Sequence, residues 1–225
     1  MDTTLQMPTA LGTPADDANI KQTINSVFDD LIASLPDSKS LTSEEKRGII
    51  ARYSAVLEGN FIYWMTAALL SVKSEDAKPI LLDNLHEEVR DSHPDMLRRF
   101  SIAAHAFPTD SDALAVHDDL TKVRLFLGRL SGVQSLATMA FFEGFIQKFM
   151  AYLADLASAA GSKEMEYTDV HGVCDIAHTD GLFKALSSEM MVNPLDSGKD
   201  LYEGVHLLRN LIEKIVYNRA EARAA

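Results

Sequence analysis

Hydrophobic residues recur at three- and four-residue steps along nearly the whole chain, the period of a helix that buries one face. One amphipathic helix runs from Ile20 to about Pro36, and a second, over 43–73, opens with a Thr42–Glu45 capping box. The same pattern predicts further helices at 79–91, 94–106, 112–130, 132–160, 168–191 and 198–220. The sequence lacks the two-residue alternation of half-buried strands, so it predicts an all-α fold.

The beginning of the chain differs from the rest. Residues 1–18 are polar and contain Pro8 and Pro14, which predicts a flexible N-terminal arm. The remainder, 19–225, has the length of one medium domain, and a chain of this size buries about 70% of its unfolded surface. We therefore expect a single helical domain after the arm.

Two of the predicted helices are almost free of charge. Residues 53–72 carry one charged side chain, Glu58, and residues 130–147 carry one, Glu143. Such helices lie at the centre of a bundle or cross a membrane. Mid-helix carboxylates and the lack of an asymmetric basic flank favour the bundle. A buried carboxylate without compensation costs several kcal/mol, so a metal ion, an arginine or water at a helix bend is expected beside each.

A third signal is the segment 171–178. His171, Asp175 and His178 stand at positions i, i+4 and i+7, so a helix presents all three on one face. Imidazole and carboxylate together are ligands for first-row transition metals, with Fe(II) and Mn(II) favoured by oxygen-rich sets and Zn(II) also compatible. The spacing predicts a metal site on this helix.

The segment 84–100 adds further candidate ligands, Glu87, Glu88 and His93, near a helix boundary at Pro94. Two-metal sites in helical bundles use about four carboxylates and two histidines from several helices. The candidates from the four segments satisfy that requirement, which favours a site for two metals.

Charge and cysteine content exclude several classes of function. The net charge is −12, which disfavours nucleic acid and membrane surfaces as partners. A single cysteine, Cys174, excludes a disulfide framework. The N-terminus lacks the basic and apolar regions of a secretory signal, so a cytoplasmic location is expected.

In order along the chain, these residues resemble the haem-oxygenase-like diiron oxidases and oxygenases. The family pattern has a Glu on the first core helix, an N-L-x-x-E…H-P-x-L-x-x-x-F stretch, a lone Glu and an H-x-x-x-D-x-x-H motif. The corresponding residues here are Glu58, Asn84, Leu85, Glu87 or Glu88, His93, Pro94, Leu97, Phe100, Glu143, His171, Asp175 and His178. The segment between the Glu and the His is short, so Glu87, Glu88 and even His86 remain alternatives for one ligand.

The resemblance implies a haem-oxygenase-like bundle of about seven core helices, often dimeric, with two Fe(II) ions and no haem. Manganese is an alternative metal. It also implies an enzyme that uses O₂ to oxidise an amino acid or a related small molecule. The reaction types are desaturation, N-oxygenation, C–C cleavage and nitrile formation, in natural-product biosynthesis. A small-molecule substrate and a homodimer are the partners expected from it.

Aromatic and methionine side chains flank Glu58 and Glu143. We expect some of them to line a substrate pocket, which weakly favours an aromatic, tryptophan-like substrate. The candidates are Phe61, Met65, Met139, Phe142 and Ile146.

Two other functions are compatible with the sequence. A thiaminase-II-like or cofactor-synthesis enzyme on the same bundle would use a nucleophilic cysteine or a cofactor-free pocket. Cys174 lies about 100° away from the ligand face of its helix. A non-enzymatic helical metal-binding protein would share the ligands and lack O₂ chemistry. Iron content with and without substrate distinguishes these functions from an oxygenase.

Overall fold

A computed structural model describes residues 14–218, without the side chains of 14–17, Cys174 and Asp175. These residues form helices with no strand among them, which confirms the all-α prediction. The helices are α1 (Pro14–Ala33), α2 (Ser43–Leu57), α3 (Asn60–Ser71), α4 (Ala77–Arg90), α5 (His93–Ala103), α6 (Asp110–Leu127), α7 (Gly132–Ala159), α8 (Glu166–Val192) and α9 (Glu203–Tyr217). Most of the predicted arm, residues 1–13, lies outside the described part of the chain, while Pro14 already begins α1.

The single helix predicted over 43–73 is wrong, because the chain breaks between α2 and α3. Gly59 adopts a left-handed conformation at φ 78°, which glycine tolerates without steric cost. At the same break Glu58 leaves the helical conformation with ψ 101°. The predicted Thr42–Glu45 capping box is present at the start of α2.

Helix α7 is the central element of the bundle. Its first half is surrounded by protein on all sides, and from Gly132 to Ile146 every residue is buried. It packs most extensively against α8 and also contacts α1, α2, α3 and α9. This accounts for the near absence of charge over 130–147.

Helices α4 and α8 lie side by side and antiparallel. Ile80 approaches Gly181 at the start of α4, and Glu87 contacts His178 near its end. Residue numbers therefore rise along one helix as they fall along the other. This pairing brings the acidic end of α4 to the histidines of α8. Among the described residues, no helix combines the length and the apolar character that crossing a membrane requires.

Candidate metal site

Three buried side chains converge between α4, α5 and α8. Glu88, His93 and His171 each offer a ligand atom, and these atoms lie within 4.8 Å of one another. All three residues are at most 6% exposed. We call them the inner group.

The inner group depends on the break between α4 and α5. Ser92 has a positive φ of 57°, a left-handed conformation that ends one helix and starts the next. His93 then opens α5, and its Nδ1 lies 2.7 Å from Glu88 Oε1. Two residues five apart in the chain thus meet across the bend.

His171 is held in a defined orientation. Its Nδ1 donates to the backbone carbonyl of Tyr167 at 2.8 Å, which leaves the lone pair on Nε2. That Nε2 lies 3.9 Å from Glu88 Oε1. Burial, followed by the neighbouring His93, lowers the pKa of His171 to about 4. The ring is therefore neutral near pH 7, which is the state that binds a metal ion.

A second set of candidate ligands adjoins the first. His178 Nε2 lies 2.8 Å from Glu87 Oε2, and its Nδ1 lies 4.0 Å from Glu143 Oε1. His178 and Glu143 are buried, whereas the side chain of Glu87 is 39% exposed. We call Glu87, Glu143 and His178 the outer group.

The sequence left Glu87, Glu88 and His86 of α4 as alternatives for one ligand, and the structure separates them. Glu88 belongs to the inner group and Glu87 to the outer group, so both carboxylates face candidate ligands. His86 is exposed and joins neither group. The side chain of Asp175 is outside the described part of the structure, although its backbone lies within α8.

Glu58 is the predicted ligand that the structure places elsewhere. The break after α2 leaves it exposed, and its carboxylate accepts a hydrogen bond from Arg98 of α5. The prediction of Glu58 as a ligand assumed a continuous helix through the centre of the bundle. With the helix broken at Gly59, its charge is compensated by an arginine at the surface.

A cavity opens onto the inner group. Its open volume, measured to the centres of water-sized molecules, is about 30 Å³, enough for one or two waters or a diatomic gas. Its lining comprises Tyr53, Leu57, Phe61, Ile62, Glu88, His93, Pro94, Leu97, Phe142, Glu143, Ile146, Tyr167 and His171. Three predicted pocket residues are thus at the cavity, while Met65 and Met139 are fully buried and do not line it.

Two tyrosines that sequence reasoning missed stand in the cavity wall. Tyr53 and Tyr167 share a hydrogen bond of 2.7 Å between their hydroxyl groups, and both are buried. The Tyr167 ring also packs on His171, with ring centroids 4.3 Å apart. Its position four residues before His171, on the same helix face, was a signal in the sequence.

A buried carboxylate outside the site was also missed. Glu189 of α8 is fully buried, and its Oε2 accepts from the backbone N–H groups of Lys73 and Ser74, each at 2.8 Å. Its Oε1 accepts from Asn193 Nδ2 at 2.8 Å. These donors compensate the charge, so Glu189 ties the end of α8 to the α3–α4 loop without a metal.

The donor set of the inner group fits iron. Its buried imidazole and carboxylate ligands in one cluster match the preference of Fe(II) and Mn(II) for nitrogen and oxygen ligands. Carboxylates buried as deeply as Glu88 and Glu143 are stabilised when a cation lies beside them. The residues present therefore suit a metal centre on chemical grounds.

Comparison with known proteins identifies a family for this chain. A family model described as iron-containing redox enzyme, of the haem-oxygenase-like type, matches residues 51–210. Neither the curated proteins nor the solved structures gave a match. The matched range includes every residue of the inner and outer groups. The chain belongs to the family of iron-containing redox enzymes.

Proposed function

We propose that this protein is a non-haem diiron oxidoreductase that uses O₂ to oxidise an amino acid or a related small molecule. The observation that carries the proposal is the buried inner group on a cavity that Glu143 of the outer group also lines. The membership in an iron-containing redox family supports the choice of metal and of reaction class.

The inner and outer groups would each hold one iron. Glu88, His93 and His171 supply the first position, and Glu87, Glu143 and His178 supply the second. Fe(II) in such a site supplies electrons to O₂. The two groups share helices α4 and α8, so one pair of helices sets the spacing between them.

The chain's own residues would orient the ligands and exclude water. The hydrogen bond from His171 Nδ1 to the carbonyl of Tyr167 fixes the ring and keeps its Nε2 available. The aromatic and aliphatic wall around the cavity limits access of bulk water to the site. The same wall favours a substrate with an apolar or aromatic body.

The test is iron loading under anaerobic conditions followed by rapid exposure to O₂. We expect about two irons per chain at saturation, and O₂ consumption that depends on a substrate from a panel of amino acids and their derivatives. A matched control is the His105→Ala chain, because His105 is exposed in the turn after α5 and belongs to neither group. No bound iron under any condition contradicts the proposal, and bound iron without O₂ consumption favours a metal-binding protein without this activity.

A further inference from the structure

An ion pair stands beside the cavity and joins two of its walls. Arg98 of α5 donates to the carboxylate of Glu58 at the break between α2 and α3. The residue before each partner lines the cavity, Leu57 on one side and Leu97 on the other. Neither partner is itself a lining residue, and the pair lies at the surface next to the lining, a position we call the rim. The side chains of Arg98 and Glu58 are 53% and 37% exposed.

The cavity cannot accept an organic substrate without movement of its walls. Its volume of about 30 Å³ is far below the several hundred Å³ that small-molecule sites occupy. The turn after α2 and the start of α5 are two of these walls, and Glu58–Arg98 links them. A ligand that separates this ion pair would therefore also allow the turn after α2 and the start of α5 to move apart.

The chemistry of cavity and rim matches one class of ligand. Most of the lining is apolar or aromatic, which suits an apolar body. At the rim, a guanidinium presents parallel N–H donors in the geometry that a carboxylate accepts. A carboxylate with an apolar tail fits both parts.

Other cations near these segments have different surroundings. Arg90 pairs with its neighbour Asp91, and Arg99 pairs with Glu166 at the start of α8. Lys148 pairs with Asp29 and lies over the ring of Phe28 on the α1 side of the bundle. None of these pairs joins the break after α2 to α5.

We propose that Arg98 is the carboxylate-binding residue of the substrate site, and that the carboxylate of an apolar or aromatic substrate replaces Glu58 as its partner. This inference rests on the proposed function in taking the cavity as the substrate site. It narrows the substrate class to carboxylic acids, amino acids among them.

If the substrate carboxylate replaces Glu58 at Arg98, substitutions of these two residues should have opposite effects on carboxylate binding. Because Glu58 competes for the same guanidinium, Glu58→Gln leaves Arg98 available and tightens binding of a carboxylate. Arg98→Gln removes the recognition and weakens binding. If the ion pair were merely structural, both substitutions would change carboxylate binding in the same direction, because both break the same pair.

The experiment measures binding of 3-phenylpropanoate and of its neutral amide to the full chain, freed of metal so that the acid cannot bind iron. Trp64 is the sole tryptophan and reports on the cavity, because its ring contacts Phe142, a lining residue, with centroids 5.3 Å apart. Arg99→Gln is the matched control, since Arg99 is the next residue on the same helix and is similarly exposed.

We expect Arg98→Gln to weaken binding of the acid by about tenfold to a hundredfold, as for loss of a charge-assisted hydrogen bond. Glu58→Gln should tighten it roughly two- to fivefold, the range of exposed ion pairs. The Arg99→Gln chain should bind the acid as tightly as the unchanged chain does. The amide should bind weakly to every variant. Equal binding of acid and amide, or unchanged binding in Arg98→Gln, overturns the inference.

Iron content and O₂ consumption, measured separately, keep this test apart from the proposed function. If the chain binds two irons and consumes O₂ while Arg98→Gln has no effect on the probe, the inference alone fails. If the probe binds through Arg98 and the chain takes up no iron, the proposed function alone fails.

Discussion

The inner and outer groups use the same kinds of ligand in different surroundings. Glu88, His93 and His171 are all buried, and their ligand atoms already lie together. In the outer group, Glu87 is 39% exposed, and His178 lies 2.8 Å from Glu87 but 4.0 Å from Glu143. The inner group is compact and the outer group is open.

The difference predicts unequal affinity for metal. Ordering a residue costs about 1–2 kcal/mol, so ligands held in advance bind metal more tightly than ligands that must be ordered. The inner group is held by the bend at Ser92 and by the carbonyl of Tyr167. We hypothesise that the inner position binds iron first and the outer position second. Four experiments probe the two groups, and the second and third of them test this order.

The largest expected effect is that of His171→Ala. The substitution removes a buried inner ligand, and we expect iron affinity to fall more than about 100-fold, with complete loss of O₂ consumption. Helicity measured by circular dichroism should persist, because alanine favours helix. Iron binding and activity like those of the unchanged chain would exclude His171 from the site.

The next test compares Glu88→Gln, which changes the inner group, with Glu87→Gln, which changes the outer group. Glutamine keeps the shape and removes the charge, so Glu88→Gln should lose tightly bound iron while Glu87→Gln keeps about one iron per chain. Equilibrium dialysis with Fe(II) measures both. The reverse result would assign the tight position to the outer group.

Substrate should affect the two groups unequally. We expect iron content near one per chain without substrate and near two with it, because a bound substrate excludes water from the open side of the outer group. Iron analysis after gel filtration, with and without substrate, gives the stoichiometry. Two irons bound equally tightly in both conditions would show that the outer group is as well ordered as the inner one.

The smallest expected effect concerns stability without metal. Glu143 is 3% exposed, and a buried carboxylate is costly when no cation compensates it. We expect Glu143→Gln to raise the Tm of the metal-free chain by about 2–4 °C, which corresponds to about 1 kcal/mol for a chain of this size. Differential scanning calorimetry measures the shift. A marked fall in Tm would instead identify Glu143 as a structural partner of a neighbouring group.

Local pattern was sufficient to predict how the candidate ligands of α8 are placed on that helix. His171 and His178 are seven residues apart on α8, so helical geometry alone places them on one face. The helical class followed from the same periodicity. For Glu143, the absence of other charge over 130–147 predicted its burial correctly.

Features that depend on contacts between elements could not be predicted in this way. The sequence could not show that Gly59 breaks the helix in a left-handed conformation, and so Glu58 was placed in the core instead of at the rim. The roles of Glu87 and Glu88 depend on the antiparallel pairing of α4 with α8, a tertiary property. The burial of Glu189 depends on backbone donors from a distant loop.

That buried carboxylate has a mechanical consequence for the site. Glu189 ties α8 to the loop before α4, and Gly132 has no side chain where a Cβ would lie 2.4 Å from the Glu189 Oε1 atom. His178 lies about 16 Å further along the helix and His171 about 27 Å, at 1.5 Å per residue. Because α8 is one continuous helix from Glu166 to Val192, fixing its end at Glu189 also restrains the two histidines. A residue far from any candidate ligand therefore helps to set where His171 and His178 stand against α4.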